Sequence, residues 1–277
     1  MIEAKKYIIK TELIGKRYKR KRKFNPILSI GILSFFRVEE TKKCIRSLMR
    51  AFKPCDFEIV VLDNNSDEAT RSELIKLADG NDIISLIFCP ANLGVGRGRN
   101  VLTESSAGEY VLFLDNDCTV SKNFLTSLYN EISSDEKLGV VFSKIMEKDH
   151  VITRGRKIVL IKNRLRIDYS NDKLKIPDSR GYMSPDKIDI APGGATIYRK
   201  KLLEDIGFDS NFYHHEDWDI MLSARKQGYR IKYCPLAVMF HFPSFDQTTE
   251  YGRVRRDMSN ITSSDEALKK KWKIERM

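Results

Sequence analysis

The chain has 277 residues, 49 Lys and Arg against 38 Asp and Glu for a formal charge of +11, with 42% hydrophobic and 31% charged residues; this excludes a globally disordered chain and supplies enough apolar side chains for a core. The charge is concentrated at the ends. Residues 1–23 hold ten Lys and Arg against two acids and residues 253–277 hold eight against four, leaving 31 bases and 32 acids between them.

After the basic arm, apolar runs alternate with helical patterns. Segments 27–34, 57–62, 83–89 and 110–114 read as strands, and 38–51, 69–78 and 96–106 as helices, with Cys44, Ile45, Leu48 and Met49 on one stripe. A β-α-β-α-β-α-β order predicts an α/β domain built on a mostly parallel sheet with helices on both faces. The segment 143–190 is rich in Lys, Arg, Asp and Ser and reads as an insertion or hairpin with a β-like stretch near 157–167. A Pro192-Gly193-Gly194 turn, a short strand to Arg199, a helix over 216–227 and strands near Ile231 and Val238 follow. The expected division is a basic arm over 1–25, a catalytic domain over 26–245 and a basic tail over 246–277. The tail reads as a flap over the site or as a surface helix. The longest apolar run, 27–36, is about half of the roughly 20 residues that a membrane helix needs. Five scattered cysteines without a Cys-x-x-Cys pair give neither a disulfide framework nor a zinc site. The expected location is therefore the cytoplasm.

Ligands of open α/β sheets bind beyond the carboxyl ends of the strands, and three strand ends carry polar clusters. The second strand runs into Asp63-Asn64-Asn65-Ser66, the fourth into Asp115-Asn116-Asp117, and the last ends at His241. Two carboxylates at i, i+2 can converge on a hard divalent cation, or can simply form an Asx turn. The run from Asn92 to Asn100 holds three glycines and two arginines at the start of a helix, where free N–H groups favour anions. Its spacing matches neither a dinucleotide fingerprint nor a P-loop. His214-His215-Glu216-Asp217-Trp218-Asp219 opens a later helix; one acid there is ordinary helix-dipole chemistry, whereas three beside two histidines point to a site.

Taken in order, these pieces resemble the family-2 glycosyltransferases of the GT-A fold, in particular the rhamnosyltransferase-like branch. The resemblance rests on Ser34-Phe35-Phe36-Arg37, Leu62 to Ser66, Asn92 to Asn100, Phe113 to Asp117, Gly193-Gly194-Ala195, Gly207-Phe208-Asp209, Glu216 to Asp219, Gly228-Tyr229-Arg230 and His241. It implies inverting transfer of a sugar from a UDP- or dTDP-sugar to a glycan, lipid-linked or protein hydroxyl in cell-envelope or surface-glycan synthesis. Ser34, Arg37, Asp63, Asn64, Asn92, Arg99, Asp115, Asn116, Gly193 and Gly194 would line the nucleotide-sugar pocket. Asp115, Asp117 and His241 would hold Mn²⁺ or Mg²⁺. Asp217 would be the general base, with Glu216 and Asp219 as its rivals. Asn64 stands where many relatives carry a second Asp, which leaves uracil and thymine both open. Two other functions compete. A sugar-phosphate nucleotidyltransferase would leave the 214–219 cluster without a role, and a nucleic-acid binder would use the basic arm alone, with no recognition motif. The arm reads as a contact for an anionic membrane surface or as a disordered solvated tail, rather than as a site for a specific nucleic acid.

Overall fold

Strand side chains alternate between the faces of a sheet, and here the alternation sorts the apolar residues into two layers. Ile30, Ile32, Ile59, Val61, Leu112 and Leu114 face one side, while Val60, Leu62, Val111 and Phe113 face the other. The computed structural model describes residues 17–18, 25–147, 150–151, 157–161, 164–168, 189–190, 193–243, 248–255 and 258–276. Most of the basic arm and the middle of the expected insertion lie outside the described residues.

In chain order the elements are β1 (Arg17–Tyr18), β2 (Leu28–Ser34), α1 (Val38–Arg50), β3 (Phe57–Asp63), α2 (Glu68–Ala78), β4 (Ile84–Phe88), α3 (Gly94–Ser105), β5 (Tyr110–Asp115), β6 (Cys118–Val120), α4 (Phe124–Ser133) and β7 (Leu138–Glu147). They continue with β8 (His150–Val151), β9 (Lys157–Ile161), β10 (Arg164–Asp168), β11 (Ala195–Arg199), α5 (Lys200–Ile206), α6 (Glu216–Lys226), β12 (Arg230–His241), α7 (Glu250–Arg255), α8 (Met258–Trp272) and β13 (Ile274–Arg276). The main sheet runs β1-β4-β3-β2-β5-β11-β7-β12-β6, with β8 paired to β7. β4, β3, β2 and β5 are parallel, as the alternating pattern predicts. β11 then inserts antiparallel between β5 and β7, and β12 runs parallel to β7.

Helices α1, α2 and α4 cover the first face and α3, α5 and α6 the second. α1 buries Thr41, Cys44, Ile45 and Leu48, the i, i+3, i+4, i+7 stripe of a half-buried helix. α2 starts where Asp67 accepts a hydrogen bond from the Thr70 N–H at 2.8 Å, satisfying one of the helix's free donors. The expected strands near Ile231 and Val238 are a single strand, β12, whose register shifts between Cys234 and Val238 around Pro235. A third cluster of Ile190, Phe212, Trp218, Leu222, Leu268 and Ile274 joins the C-terminal segment to α6. The tail is therefore packed against the body: α8 supplies Leu268 to this cluster, and β13 pairs with β10 beside β9.

Candidate active site

The carboxyl ends of β2, β3, β5 and β12 and the start of α6 surround a cavity of about 540 Å³, inside the usual range for small-ligand pockets. Of the residues expected to bind donor, metal or acceptor, Asn64, Asn92, Arg99, Asp115, Asn116, Asp117, Gly193, Gly194, Glu216, Asp217 and His241 line it. Ser34, Arg37 and Asp63 are not among its lining residues. Ser34 is buried with its hydroxyl 3.0 Å from that of Thr41. Asp63 is buried, accepting from Arg71 Nε at 2.9 Å and from the Ser66 N–H. Arg37 lies behind the cavity, its Nη1 donating to Asp117 Oδ2 at 2.9 Å and its Nη2 to the Phe242 carbonyl at 3.2 Å.

Asp115, Asp117 and His241 each offer one ligand atom, and these atoms all lie within 4.8 Å of one another. Asp115 ends β5, and the following turn swings Asp117 back toward the last residue of β12. That turn is held by the Cys118 thiol on the Asp115 carbonyl at 2.8 Å, by Asn116 Nδ2 on Thr41 Oγ1 at 3.0 Å, and by the Phe242 N–H on the Asp117 carbonyl at 2.8 Å. Asp117 is 2% exposed. His241 Nδ1 lies 2.8 Å from Glu147 Oε1, while its buried Nε2 has no hydrogen-bond partner among the described residues and lies 3.4 Å from Asp117 Oδ1. Burial disfavours a charged imidazole, but Asp117 and Glu147 outweigh it, so the His241 pKa is raised. Two carboxylates and an imidazole whose second nitrogen is oriented by a carboxylate form a donor set that suits a divalent cation.

Asn64 and Asn92 shape the neighbouring loop. Asn64 Nδ2 donates to Asn92 Oδ1 at 2.8 Å, and Asn64 Oδ1 accepts from the Leu93 N–H at 2.8 Å. Asn92 Oδ1 also accepts from the Gly94 N–H at 2.9 Å. An aspartate at position 64 could accept but not donate; the amide is what joins the β3 end to the glycine-rich turn.

Arg99 is buried between the rings of Phe113 and Phe208, at 5.6 and 5.5 Å, with Nη1 on Glu216 Oε1 at 3.1 Å and Nη2 3.8 Å from Asp115 Oδ1. The backbone at Gly193 and Gly194 passes close to the site's charged groups. A Cβ at Gly193 would stand 2.5 Å from Arg99 Nη1, and one at Gly194 would collide with Asp115 Oδ2.

The three acids at the start of α6 have different surroundings. Asp217 lines the cavity, its Oδ2 accepting from the Gly193 N–H at 2.9 Å and its Oδ1 from the Trp218 N–H at 2.9 Å. Glu216 is engaged by Arg99; burial, with Asp217 adding to it and Arg99 opposing, pushes its pKa up to about 8. Asp219 is 1% exposed and turned away, accepting from Lys271 Nζ at 2.9 Å and Trp272 Nε1 at 2.7 Å. Lys271 also reaches Asp209 Oδ2 at 2.8 Å, so α8 locks the segment that leads into α6.

Two contributors escaped the sequence reading. Glu147 ends β7, a strand visible in the apolar run Leu138 to Phe142 but absorbed into the expected charged insertion. Lys271 lies 52 residues beyond Asp219, with no local pattern linking them.

Solved structures share this architecture. A mannosyltransferase from Pyrobaculum calidifontis, in complex with GDP-Man and Mn²⁺, superposes with a TM-score of 0.61 at 18% identity, over 93% of this chain and 69% of its own. GalNAc-T7 with UDP, GalNAc and Mn²⁺ gives 0.61 at 14% identity, over 81% and 45%. TarS residues 1–349 from S. aureus gives 0.54 at 20% identity, over 77% and 60%. The fold is that of the GT-A glycosyltransferases. The model of the family "Glycosyl transferase family 2" matches residues 29–207, and the chain belongs to that family. It is also 24% identical over 209 residues to poly-beta-1,6-N-acetyl-D-glucosamine synthase of Staphylococcus aureus (strain COL), covering 75% of this chain and 48% of that protein. The chain thus spans about half the length of the curated relatives it matches.

Proposed function

We propose that the protein transfers a sugar, with inversion, from a UDP- or dTDP-sugar to a hydroxyl of a glycan, lipid-linked or protein acceptor, in the synthesis of a cell-envelope or surface glycan. The observation that carries this reading is the convergence of Asp115, Asp117, His241 and Asp217 on one cavity. The UDP, GDP-Man and Mn²⁺ in the related structures support a nucleotide-sugar donor and a divalent cation. Asp115, Asp117 and His241 would hold Mn²⁺ or Mg²⁺, which when bound supplies positive charge to the leaving diphosphate.

The chain's own groups divide the remaining work. Arg99 places a second positive charge beside Asp115, and Glu216 fixes its guanidinium in place. Asn64 and Asn92 form the nucleotide side of the cavity. Asp217, oriented by two backbone N–H groups, accepts the acceptor's hydroxyl proton as that oxygen bonds the anomeric carbon and the bond from that carbon to the diphosphate breaks. Attack from the side opposite the leaving group inverts the anomeric centre. Glu216 is engaged by Arg99 and Asp219 by α8, which supports Asp217 as the base. We place the enzyme in the cytoplasm, with the basic arm over residues 1–23 drawn to anionic lipid. Among the described residues no helix is long and apolar enough to cross a membrane.

Purified protein should be screened with and without Mn²⁺ against a panel of nucleotide sugars, reading thermal stabilisation and donor hydrolysis. Asp117→Ala should lose both metal-dependent nucleotide binding and transfer, whereas Asp217→Ala should keep the binding and lose transfer. Near-normal turnover in Asp217→Ala would remove it as the base.

A further inference from the structure

Helix α1 buries its Thr41, Cys44, Ile45 and Leu48 stripe and turns the opposite face outward. That face carries Lys43, Arg46 and Arg50, all exposed and spaced i, i+3, i+7 so that they form one row. Lys122 extends the row from the loop after β6. Among the described residues none of these four cations makes an ion pair. The helix's own acids are already engaged, Glu39 with Lys42 at 2.8 Å and Glu40 with Arg37 at 3.7 Å. The row borders a second cavity of about 610 Å³, separate from the candidate active site except that Asp117 touches both, with Ala51 and Val120 in its apolar lining.

Exposed phenylalanines stand at both ends of this row. Phe52, 56% exposed, follows the helix's last turn, its N–H donating to the Lys122 carbonyl at 2.8 Å. Phe242, 55% exposed, lies at the other end, its carbonyl held by Arg37 at 3.2 Å. A 13-residue helix is roughly 20 Å long, so the row of cations and the aromatic at each end extend over about that length.

We propose that this face docks on the surface of an anionic phospholipid bilayer, with Lys43, Arg46, Arg50 and Lys122 on the headgroup phosphates and the rings of Phe52 and Phe242 inserted at the acyl boundary. Charge complementarity selects an anionic partner. The two aromatic rings select a bilayer over a soluble polyanion, which would leave them in water. The surface is distinct from the described part of the basic arm: β1, which lies within the arm, pairs with β4 at one edge of the sheet, whereas β6 lies at the other. Docking through α1 places the bilayer beside the turn that carries Asp117, so a lipid-linked substrate would approach from that side. The inference is independent of which carboxylate acts as base.

The test is flotation of the full chain with vesicles of equal parts phosphatidylglycerol and phosphatidylcholine, against vesicles of phosphatidylcholine alone. Wild-type protein should float with the anionic vesicles only and be released by salt. The K43Q/R46Q/R50Q variant should bind about 100-fold more weakly, at about fivefold per cation, with an unchanged thermal midpoint because all three side chains are exposed. F52S/F242S should also weaken binding to vesicles. K19Q/R20Q/K21Q/R22Q/K23Q, which removes five of the arm's ten cations, should leave the roughly 100-fold effect of the α1 triple variant intact when the two are combined. Flotation of the α1 triple variant equal to wild type would overturn the proposal. So would wild-type binding to polyuridylate or polyphosphate through these same residues without flotation, or vesicle binding indifferent to loss of both phenylalanines.

Discussion

Glu216 and Asp217 are adjacent in the chain, yet the start of α6 sends one carboxylate to a buried guanidinium and the other to two backbone N–H groups at the cavity wall. Neighbouring acids can differ this sharply because a helix turns about 100° per residue. The raised pKa of Glu216 has a consequence for stability. Between about pH 4.5 and 8 the native state holds a proton that the unfolded chain has lost, so this contribution to stability is complete below the lower value and is lost as pH rises through the upper one. Glu216→Gln keeps the shape and removes the titration. Thermal midpoints recorded from pH 5 to 8.5 should show the variant gaining on wild type as pH increases; parallel profiles would mean that Glu216 is already ionised at pH 5. Glu147 offers a second test. It holds His241 at Nδ1, the nitrogen turned away from Asp117, and the loss of such an outer partner lowers metal affinity by roughly 10-fold or more. Glu147→Gln should weaken Mn²⁺ binding, measured by titration calorimetry, by about that factor while leaving metal-free nucleotide binding unchanged.

The elements differ in how much of them the residues announce. β2, β3, β4 and β5 are short β-branched or aromatic runs bounded by polar turns, and their ends deliver Asp63 and Asp115 where a parallel sheet must place them. The same logic made His241 legible as a strand end. β7 was harder, because its apolar residues pass without a turn into Lys144 and Glu147, and because it pairs with β11 and β12, which follow it in the chain by some 50 and 90 residues. β12 read as two pieces because Pro235 breaks the pattern at the register shift, although the strand continues past it. α8 was the least legible: its sequence is polar, and its packing rests on Leu268 in the third cluster, with Ala267 and Trp272 against it, and on Ser264, which accepts from the His214 N–H. Its functional meaning lies in Lys271 and Trp272, whose partner Asp219 is visible only in three dimensions. Lys271→Met should leave Asp219 with only the indole and cost about 2 kcal/mol, less than for a fully buried pair because Lys271 is 37% exposed. Urea denaturation would read that loss. Transfer should fall while nucleotide binding holds, because the variant loosens α6 and leaves the β3 and β5 ends untouched.

Across the whole molecule the candidate site is assembled from two bodies of different origin. The donor side is local in design: β2 to β5 and their helices form a continuous unit of parallel strands, and the family match begins with it. The side that carries Asp217 depends on the far end of the chain. α8 and β13 come back to α6, β13 pairs with β10, and the third cluster fills the gap between them. His215 is bound in the same way, with its Nε2 2.9 Å from Asp265 Oδ1 and its ring stacked on Trp218 at 4.0 Å. Removing residues 258–277 would therefore expose Phe212, Trp218 and Leu222 and leave the buried Asp219 without either partner. Breaking a buried pair in this way costs about 3–5 kcal/mol, and a chain of this size loses roughly 2–4 °C per kcal/mol, so the thermal midpoint should drop by about 10 °C. The main sheet keeps every strand. Nucleotide-sugar binding, followed by titration calorimetry with Mn²⁺, should consequently survive within about threefold while sugar transfer disappears. A truncated chain that still transferred sugar would show that α6 is held by the sheet alone, whereas loss of nucleotide binding along with transfer would show that the two halves of the site fold as one unit.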